Sequence, residues 1–270
     1  MKPKNIYWIV LALLSPAEIS AQGRSFVQIN TSVSVHFLVI DPHGRRTGVD
    51  PREAQNPQLG KELNEIPGAN YSTTSVGDSP ENEEPLNSDF SREFLFKPQS
   101  PENDGEYLIE VVGIEPGKYS ISVYVAPKRE SKARVFRTSF YGLTDANQVT
   151  RFQFVYRGNP ENPASLTKIV KSADLRQDLD NSFKFGLLIQ HGLYTELSTA
   201  LDQFERDFGR KDTMAAVKRL GEFLDVINKE HEKPTKPNDN RYIKDEAWQI
   251  LSEDTKNLIE QLSSLSFKAK

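Results

Sequence analysis

Acidic side chains in the segment 41–90 are the clearest candidates for metal chemistry in this sequence. Calcium binds clusters of carboxylate and carbonyl oxygens, and this segment is rich in Asp and Glu. The candidate ligands are Asp41, Asp50, Asp78, Glu81, Glu83, Glu84 and Asp89. Their spacing lacks the D-x-D-x-D-G pattern of a calcium loop. A solvated acidic loop is therefore the favoured interpretation, and a calcium site is the alternative.

Two arginines and two tyrosines are candidates for binding a ligand directly. Arg45 and Arg46 lie in the turn sequence 41–48, and guanidinium groups bind an anionic sugar or a carboxylate through paired hydrogen bonds. Tyr71 and Tyr124 carry rings that can stack on a sugar. A turn that binds no ligand also explains Arg45 and Arg46, and packing within a sheet also explains Tyr71 and Tyr124. These structural roles are favoured over the binding roles.

Catalytic motifs are missing from the sequence. It has no nucleophile elbow, phosphate-binding loop, dinucleotide fingerprint or HExxH pair. It has no cysteine, which excludes disulfides, thiolate zinc sites and a cysteine nucleophile. We therefore expect a protein that is not an enzyme and that needs no cofactor apart from the calcium considered above. A hydrolase of unrecognised type that uses the loop carboxylates is the alternative.

The net charge of −4 is close to balanced for 270 residues. Proteins that bind nucleic acid or anionic membranes through their general charge carry a marked basic excess. We therefore predict no nucleic-acid partner.

The first residues have the layout of a secretory signal peptide. Lys2 and Lys4 precede the apolar run 6–14, and Ala21 offers a small residue for cleavage. The apolar run is too short for a membrane span, which needs about 20 residues. We predict a signal peptide over 1–21, no membrane insertion, and a secreted product in the extracellular space or the periplasm. The lack of cysteine in an exported chain favours a bacterial source.

The sequence has two halves with different hydrophobic periods, and the folds of these halves must position the candidate residues. Between residues 25 and 157 apolar residues alternate with polar ones, and this period of two predicts six or seven short strands. Residues 113–117 form a turn-rich link of hairpin length between two of these strands. Such strands with antiparallel links indicate a β-sandwich. The strand pattern fades over 41–90, which we predict to be a long acidic, proline-rich loop.

The second half changes to a period of about 3.6 residues, which is typical of amphipathic helices. We predict a proline-containing linker over 158–171 and four helices over 172–264, with the first ending at His191–Gly192. Short links between such helices predict an antiparallel bundle. The predicted fold class is thus multidomain β + α, with an N-terminal antiparallel β-sandwich and a C-terminal antiparallel four-helix module.

The helical half resembles the FIMAH domain, a helical module at the C-terminal ends of exported bacterial proteins. The resemblance spans about a third of the chain and is carried by Leu175, Leu179, Phe183, Gly186 to Leu188, Gly192, Leu197, Leu201, Phe204, Gly209, Ala215, Ala216, Leu220, Phe223, Ile227, Ala247, Leu251, Leu258 and Ile259. The loop before the last helix is longer here and contains prolines. The segments Val35–Gly48 and Gly117–Val123 look like the sandwich that often precedes this module, and the second is similar to a strand of pre-peptidase-type sandwiches.

The resemblance implies an accessory, non-catalytic role at the outer surface of a bacterium. It carries no catalytic residues onto this chain. We expect a secreted binding or interaction protein whose sandwich contacts polysaccharide or another protein. An inhibitor or partner of an exported protease is a further alternative.

Overall fold

The computed structural model describes residues 25–50, 52, 60–73, 92–98, 101–126, 135–158, 163–232 and 242–268. The predicted signal peptide and the predicted ligands from Asp78 to Asp89 lie outside the described residues.

Five strands form one antiparallel sheet. In spatial order they are β5 (Ala69–Thr73), β6 (Arg92–Phe96), β1 (Phe26–Thr31), β8 (Gly117–Ala126) and β9 (Phe136–Thr144). Alternate residues of the central strand β1 are fully buried, as Val27 and Ile29 show. Their neighbours Gln28 and Asn30 point to the opposite face, because side chains alternate along a strand.

A six-stranded antiparallel sheet packs against the first. Its order is β11 (Ala164–Ile169), β10 (Val149–Tyr156), β7 (Gly105–Gly113), β2 (Val35–Ile40), β3 (Arg46–Asp50) and β4 (Lys61–Asn64). The inner faces of the two sheets share one apolar core that includes Phe37, Phe94, Ile109, Ile121 and Phe152. This arrangement confirms the predicted β-sandwich.

Four helices follow the sandwich. They are α1 (Ser172–Lys184), α2 (His191–Gly209), α3 (Thr213–His231) and α4 (Asp245–Lys268). The Asp212 side chain caps α3 by accepting a hydrogen bond from the Ala215 amide. The apolar stripes of the helices meet in a second core, which confirms the helical module and the β + α fold class. No helix in the described ranges is both long enough and apolar enough to cross a bilayer.

The predicted loop 41–90 and the predicted linker 158–171 both contain strands. β3, β4 and β5 lie in the first segment, and β11 lies in the second. β4 and β5 bury only one side chain each, Leu63 and Tyr71, and such short edge strands leave little period-two signal. β11 buries only Ala164 and Lys168. Because one of these buried residues is a lysine, β11 does not show the alternation of apolar and polar residues that marks a strand.

Two predicted chain reversals are also different in the structure. The link between Gly113 and Gly117 crosses from one sheet to the other, since β7 pairs with β2 and β10 whereas β8 pairs with β1 and β9. His191 begins α2 instead of ending α1. The first helix ends earlier, and Gly186 takes the left-handed conformation after it with φ 65°.

The helical module is joined to one edge of the sandwich. Leu143 of β9 is 1% exposed and belongs to the helical core. Asn181 of α1 donates to Gln148 at 3.0 Å, and Lys118 of β8 pairs with Glu246 of α4 at 2.7 Å. We call this contact region the joint.

Candidate functional site

The outer face of the five-stranded sheet carries two rows of mostly polar side chains. The first row crosses the sheet through Asn70, Leu95, Gln28, Tyr124 and Arg137. The second row, one pleat away, crosses through Ser72, Glu93, Asn30, Ser122 and Ser139. We call these two rows, together with Phe26 and Tyr141, the polar face.

Aromatic rings lie on the half of the polar face formed by β1, β8 and β9. Phe26 and Tyr124 are neighbours, with ring centroids 5.3 Å apart. Tyr141 on the edge strand is 58% exposed. Five strands at a spacing of about 4.8 Å make a face about 19 Å wide. These rings and the intervening hydroxyl and amide groups therefore form an extended surface.

Only part of the hydrogen-bonding capacity of this face is used within the protein. Gln28 Nε2 donates to Glu93 Oε1 at 2.6 Å, and the Ser122 and Ser139 hydroxyls are 2.6 Å apart. In the described ranges, the side chains of Arg137 and Tyr141 form no hydrogen bond or ion pair, and both are exposed. Donors and acceptors thus remain available to a ligand laid across the strands.

Of the two tyrosines predicted to bind, the structure places only Tyr124 on this surface. Tyr71 is 6% exposed and packs edge-on against Phe37, with ring centroids 5.2 Å apart. Its burial raises the pKa of the phenol well above the ordinary value. Stacking on a sugar therefore does not fit Tyr71, which contributes to the core between the sheets.

The two arginines predicted to bind a ligand instead stabilise the turn in which they lie. Arg45 binds the Asp41 carboxylate through Nε and Nη2, each at 2.7 Å. The same carboxylate accepts hydrogen bonds from the backbone amides of His43 and Arg45. Arg46 pairs with Glu65 on the facing segment. Both guanidinium groups thus have intramolecular partners, as the turn interpretation expects.

The predicted calcium ligands in the described ranges are not brought together. Asp41 lies at the turn of the β2–β3 hairpin, and Asp50 lies at the other end of β3, about 13 Å or more along the strand. Asp50 is bound by both Nε and Nη2 of Arg52, at 2.8 and 2.9 Å. Within the described ranges no group of three metal-binding side chains is found. The remaining five predicted ligands lie outside those ranges, so calcium binding there stays a prediction.

A charge cluster lies on the outer side of the six-stranded sheet. Arg52 bridges Asp50 and Glu110, and Arg151 binds the other oxygen of Glu110 at 2.9 Å. The hydrogen bond from Arg52 lowers the pKa of Asp50. The two carboxylates and two guanidinium groups are therefore matched in charge. We call this set the sheet cluster.

A second charge cluster is buried in the joint. Lys168 of β11 contacts Asp178 of α1 and Asp254 of α4, at 3.1 and 2.7 Å. All three are at most 6% exposed. Burial raises the pKa of Asp178 well above its usual range. We call this set the joint cluster.

A small cavity of about 210 Å³ also lies at the joint. Tyr119, Tyr141, Leu143 and Ile250 provide apolar walls, and the Lys118–Glu246 ion pair lies at its rim. Tyr141 therefore belongs both to the polar face and to the cavity wall.

Several residues of the polar face could not be singled out from the sequence. The polar positions of β1 and β9, such as Gln28, Asn30 and Arg137, become neighbours of Tyr124 only through the sheet order. The alternation of Ser120, Ser122 and Tyr124 with buried residues is the sequence signal that marks the outward face of β8.

The helical part of the chain matches a known family. Residues 173–260 match the family model of the FIMAH domain, so the resemblance of the helical half is confirmed. The match begins within α1 and ends within α4. No curated protein matches the chain significantly.

Proposed function

We propose that this chain is a secreted, non-catalytic binding protein of the bacterial cell exterior that contacts polysaccharide through the polar face. The observation that carries the proposal is the pair of cross-strand rows with Tyr124, Arg137 and Tyr141 among hydroxyl and amide side chains. Sugars present hydroxyl groups at their edges and C–H groups on their ring faces. Polar side chains and aromatic rings on one face of a sheet satisfy both.

The composition of the polar face favours polysaccharide over a protein partner. The centre of a protein interface is more apolar than the rest of the surface and is depleted in serine and acidic residues, which this face carries at Ser72, Glu93, Ser122 and Ser139. On the described surface, large exposed apolar residues are scattered over both modules, at Val33, Val135, Tyr141, Ile189, Phe208 and Met214. The FIMAH match supports an accessory role for the helical module, which packs on the sandwich at the joint and lies beside the polar face at Tyr141.

Binding to insoluble polysaccharides and to cell-wall material tests the proposal. We expect the chain from Gln22 to Lys270 to be retained on at least one matrix. The double variant Tyr124→Ala/Tyr141→Ala should bind at least about tenfold more weakly, since each exposed aromatic contact contributes about 1–2 kcal/mol. Folding stability should change by only about 0.5 kcal/mol per site, because both rings lie outside the sandwich core.

Met214→Ala is the matched control, since Met214 is 84% exposed but lies on the helical module. It should bind as the wild type does. Retention that is unaffected by the tyrosine changes would overturn the assignment to the polar face, and no retention on any matrix would overturn the polysaccharide proposal. Repeating the assay with calcium and with EDTA tests the predicted acidic site separately.

A further inference from the structure

Lys168 is a primary amine enclosed between the two modules. It lies on the edge strand β11 and is 6% exposed. Its Nζ atom is 3.1 Å from Oδ2 of Asp178 and 2.7 Å from Oδ2 of Asp254. The amine is thus held against two carboxyl groups that come from different helices.

The joint cluster has one cation for two carboxyl groups. Two ionised carboxylates would leave a net negative charge in a dry site, which is energetically unfavourable. Burial raises the pKa of Asp178 well above its usual range, and the neighbouring Asp254 carboxyl raises it further. Burial alone would lower the pKa of Lys168, but the attraction of the two aspartates outweighs burial and raises this pKa. The cluster therefore contains an ammonium, a carboxylate and a neutral carboxylic acid.

Asp254 is the member of the pair that lies closer to the ammonium of Lys168. Its Oδ2 is 2.7 Å from Nζ, against 3.1 Å for Oδ2 of Asp178. Its Oδ1 is buried without a hydrogen-bond partner, so this carboxyl group has an acceptor that the fold does not use. The ammonium of Lys168 is the donor in contact with it.

We propose that Lys168 and Asp178 condense to form an intramolecular amide bond, with Asp254 as the catalytic proton carrier. The ammonium of Lys168 transfers a proton to Asp254, and the neutral Nζ attacks Cγ of the Asp178 carboxylic acid. The new C–N bond replaces the bond from Cγ to its hydroxyl oxygen. That hydroxyl leaves as water with one nitrogen proton, carried by Asp254. The products are one amide, one water molecule and a protonated Asp254, so atoms and charge balance without an external reactant.

The site provides the two conditions that such a reaction needs. Holding reactants in contact raises their effective concentration by many orders of magnitude. Exclusion of water protects the amide from hydrolysis and removes the solvation that stabilises the unreactive ions. The buried Tyr119 side chain is a further neighbour of Lys168. The resulting bond would fasten α1 to the edge strand of the sandwich.

Mass spectrometry of the purified full chain is the direct test. We expect the denatured wild-type protein to be lighter than its sequence mass by one water molecule. Trypsin should fail to cut after Lys168, and the peptide spanning 158–171 should be linked to the peptide spanning 177–184. Fragmentation should locate the link at Asp178, which distinguishes it from Asp180 in the same peptide.

Variants isolate the roles of the three residues. Lys168→Arg keeps the positive charge, Asp178→Ala removes the electrophile, and both should have the full sequence mass. Asp254→Asn should slow or abolish the loss of water, although both reacting groups remain. The Lys118–Glu246 pair is the internal control: its contact is also 2.7 Å, but the side chains are 58% and 48% exposed. We expect no link there.

A folded wild-type protein with its full sequence mass would overturn the proposal, whether or not the variants fold. A link to the peptide spanning 245–256 would overturn the assignment of Asp178 as the acceptor. The mass test does not depend on polysaccharide binding, so failure of one proposal leaves the other open to its own test.

Discussion

The joint cluster and the sheet cluster both contain two carboxyl groups, yet their surroundings differ. In the sheet cluster, Arg52 and Arg151 supply one guanidinium for each carboxylate, and the Arg52 side chain is 41% exposed. In the joint cluster, Lys168 is the one cation among the described residues that contacts both Asp178 and Asp254, and its side chain is 7% exposed. The same residue types are thus matched in charge in one place and unmatched in the other.

The difference shows that charge count and access to water together decide the protonation state. Where each carboxylate has a guanidinium, the hydrogen bond from Arg52 outweighs burial and lowers the pKa of Asp50. In the joint cluster, two carboxyl groups contact one buried amine, and burial raises the pKa of Asp178. The sheet cluster is therefore an ordinary structural ion network, and the joint cluster has the composition of a reactive site.

The largest effect should follow from removing the cation of the joint cluster. Lys168→Met keeps most of the length of the side chain but removes the amine. It takes the shared partner from Asp178 and Asp254 and also prevents the proposed amide bond. The loss of stability should therefore be at least about 3–5 kcal/mol, the cost of breaking a buried pair. Chemical denaturation of wild type and variant at pH 7 measures this difference.

Arg52→Met is the matched control, since it removes a cation from the sheet cluster. Its cost should be smaller, because Glu110 keeps Arg151 and the site has access to water. Equal losses for the two variants would contradict the distinction between the clusters.

A smaller effect with a defined pH dependence is expected for Asp50→Asn. Because Arg52 lowers the folded-state pKa of Asp50 below the ordinary value of 3.8, the ion pair stabilises the fold above that pH. This contribution is lost as the pH falls through the lowered pKa. We expect a difference of about 1 kcal/mol or less at pH 6, since Arg52 is partly exposed.

Unfolding of wild type and Asp50→Asn at a series of pH values from neutral to acidic checks the sign. The two proteins should differ above the ordinary pKa of an aspartate and converge below it. A difference that grows on acidification would show that the pKa of Asp50 is raised, as burial without a partner would require.

The elements with a strong hydrophobic period were predictable, and those with a weak one were not. β7, β8 and β10 alternate buried and outward residues over much of their length, and α2 and α3 have clear apolar stripes. β4 and β5 bury one side chain each. Pairing with a neighbouring strand, more than their own sequence pattern, therefore determines that these segments form strands. The first helix was predicted to end at His191–Gly192, but it ends at Lys184, just before Gly186 takes the left-handed conformation.

The candidate sites depend on contacts between residues distant in sequence. Tyr124 was predictable from its strand, but its neighbour Arg137 requires the order of β8 and β9. The joint cluster combines Lys168 with Asp254, which is 86 positions away. Local spacing contains no signal for such a pair, because tertiary packing alone brings the two residues together.

The smallest effect is expected at the rim of the joint. Lys184 pairs with Asp145 at 2.6 Å, and its hydrogen bond lowers the pKa of that carboxyl group. The side chains are 51% and 32% exposed, so solvent weakens their attraction. Lys184→Met should cost less than about 1 kcal/mol, and the loss should shrink further in about 1 M salt. Denaturation at low and high ionic strength measures both quantities.

A loss comparable with that of Lys168→Met would mean that rim ion pairs hold the modules together. A loss that is small and sensitive to salt would instead assign that role to the buried joint cluster and to the apolar contacts around Leu143.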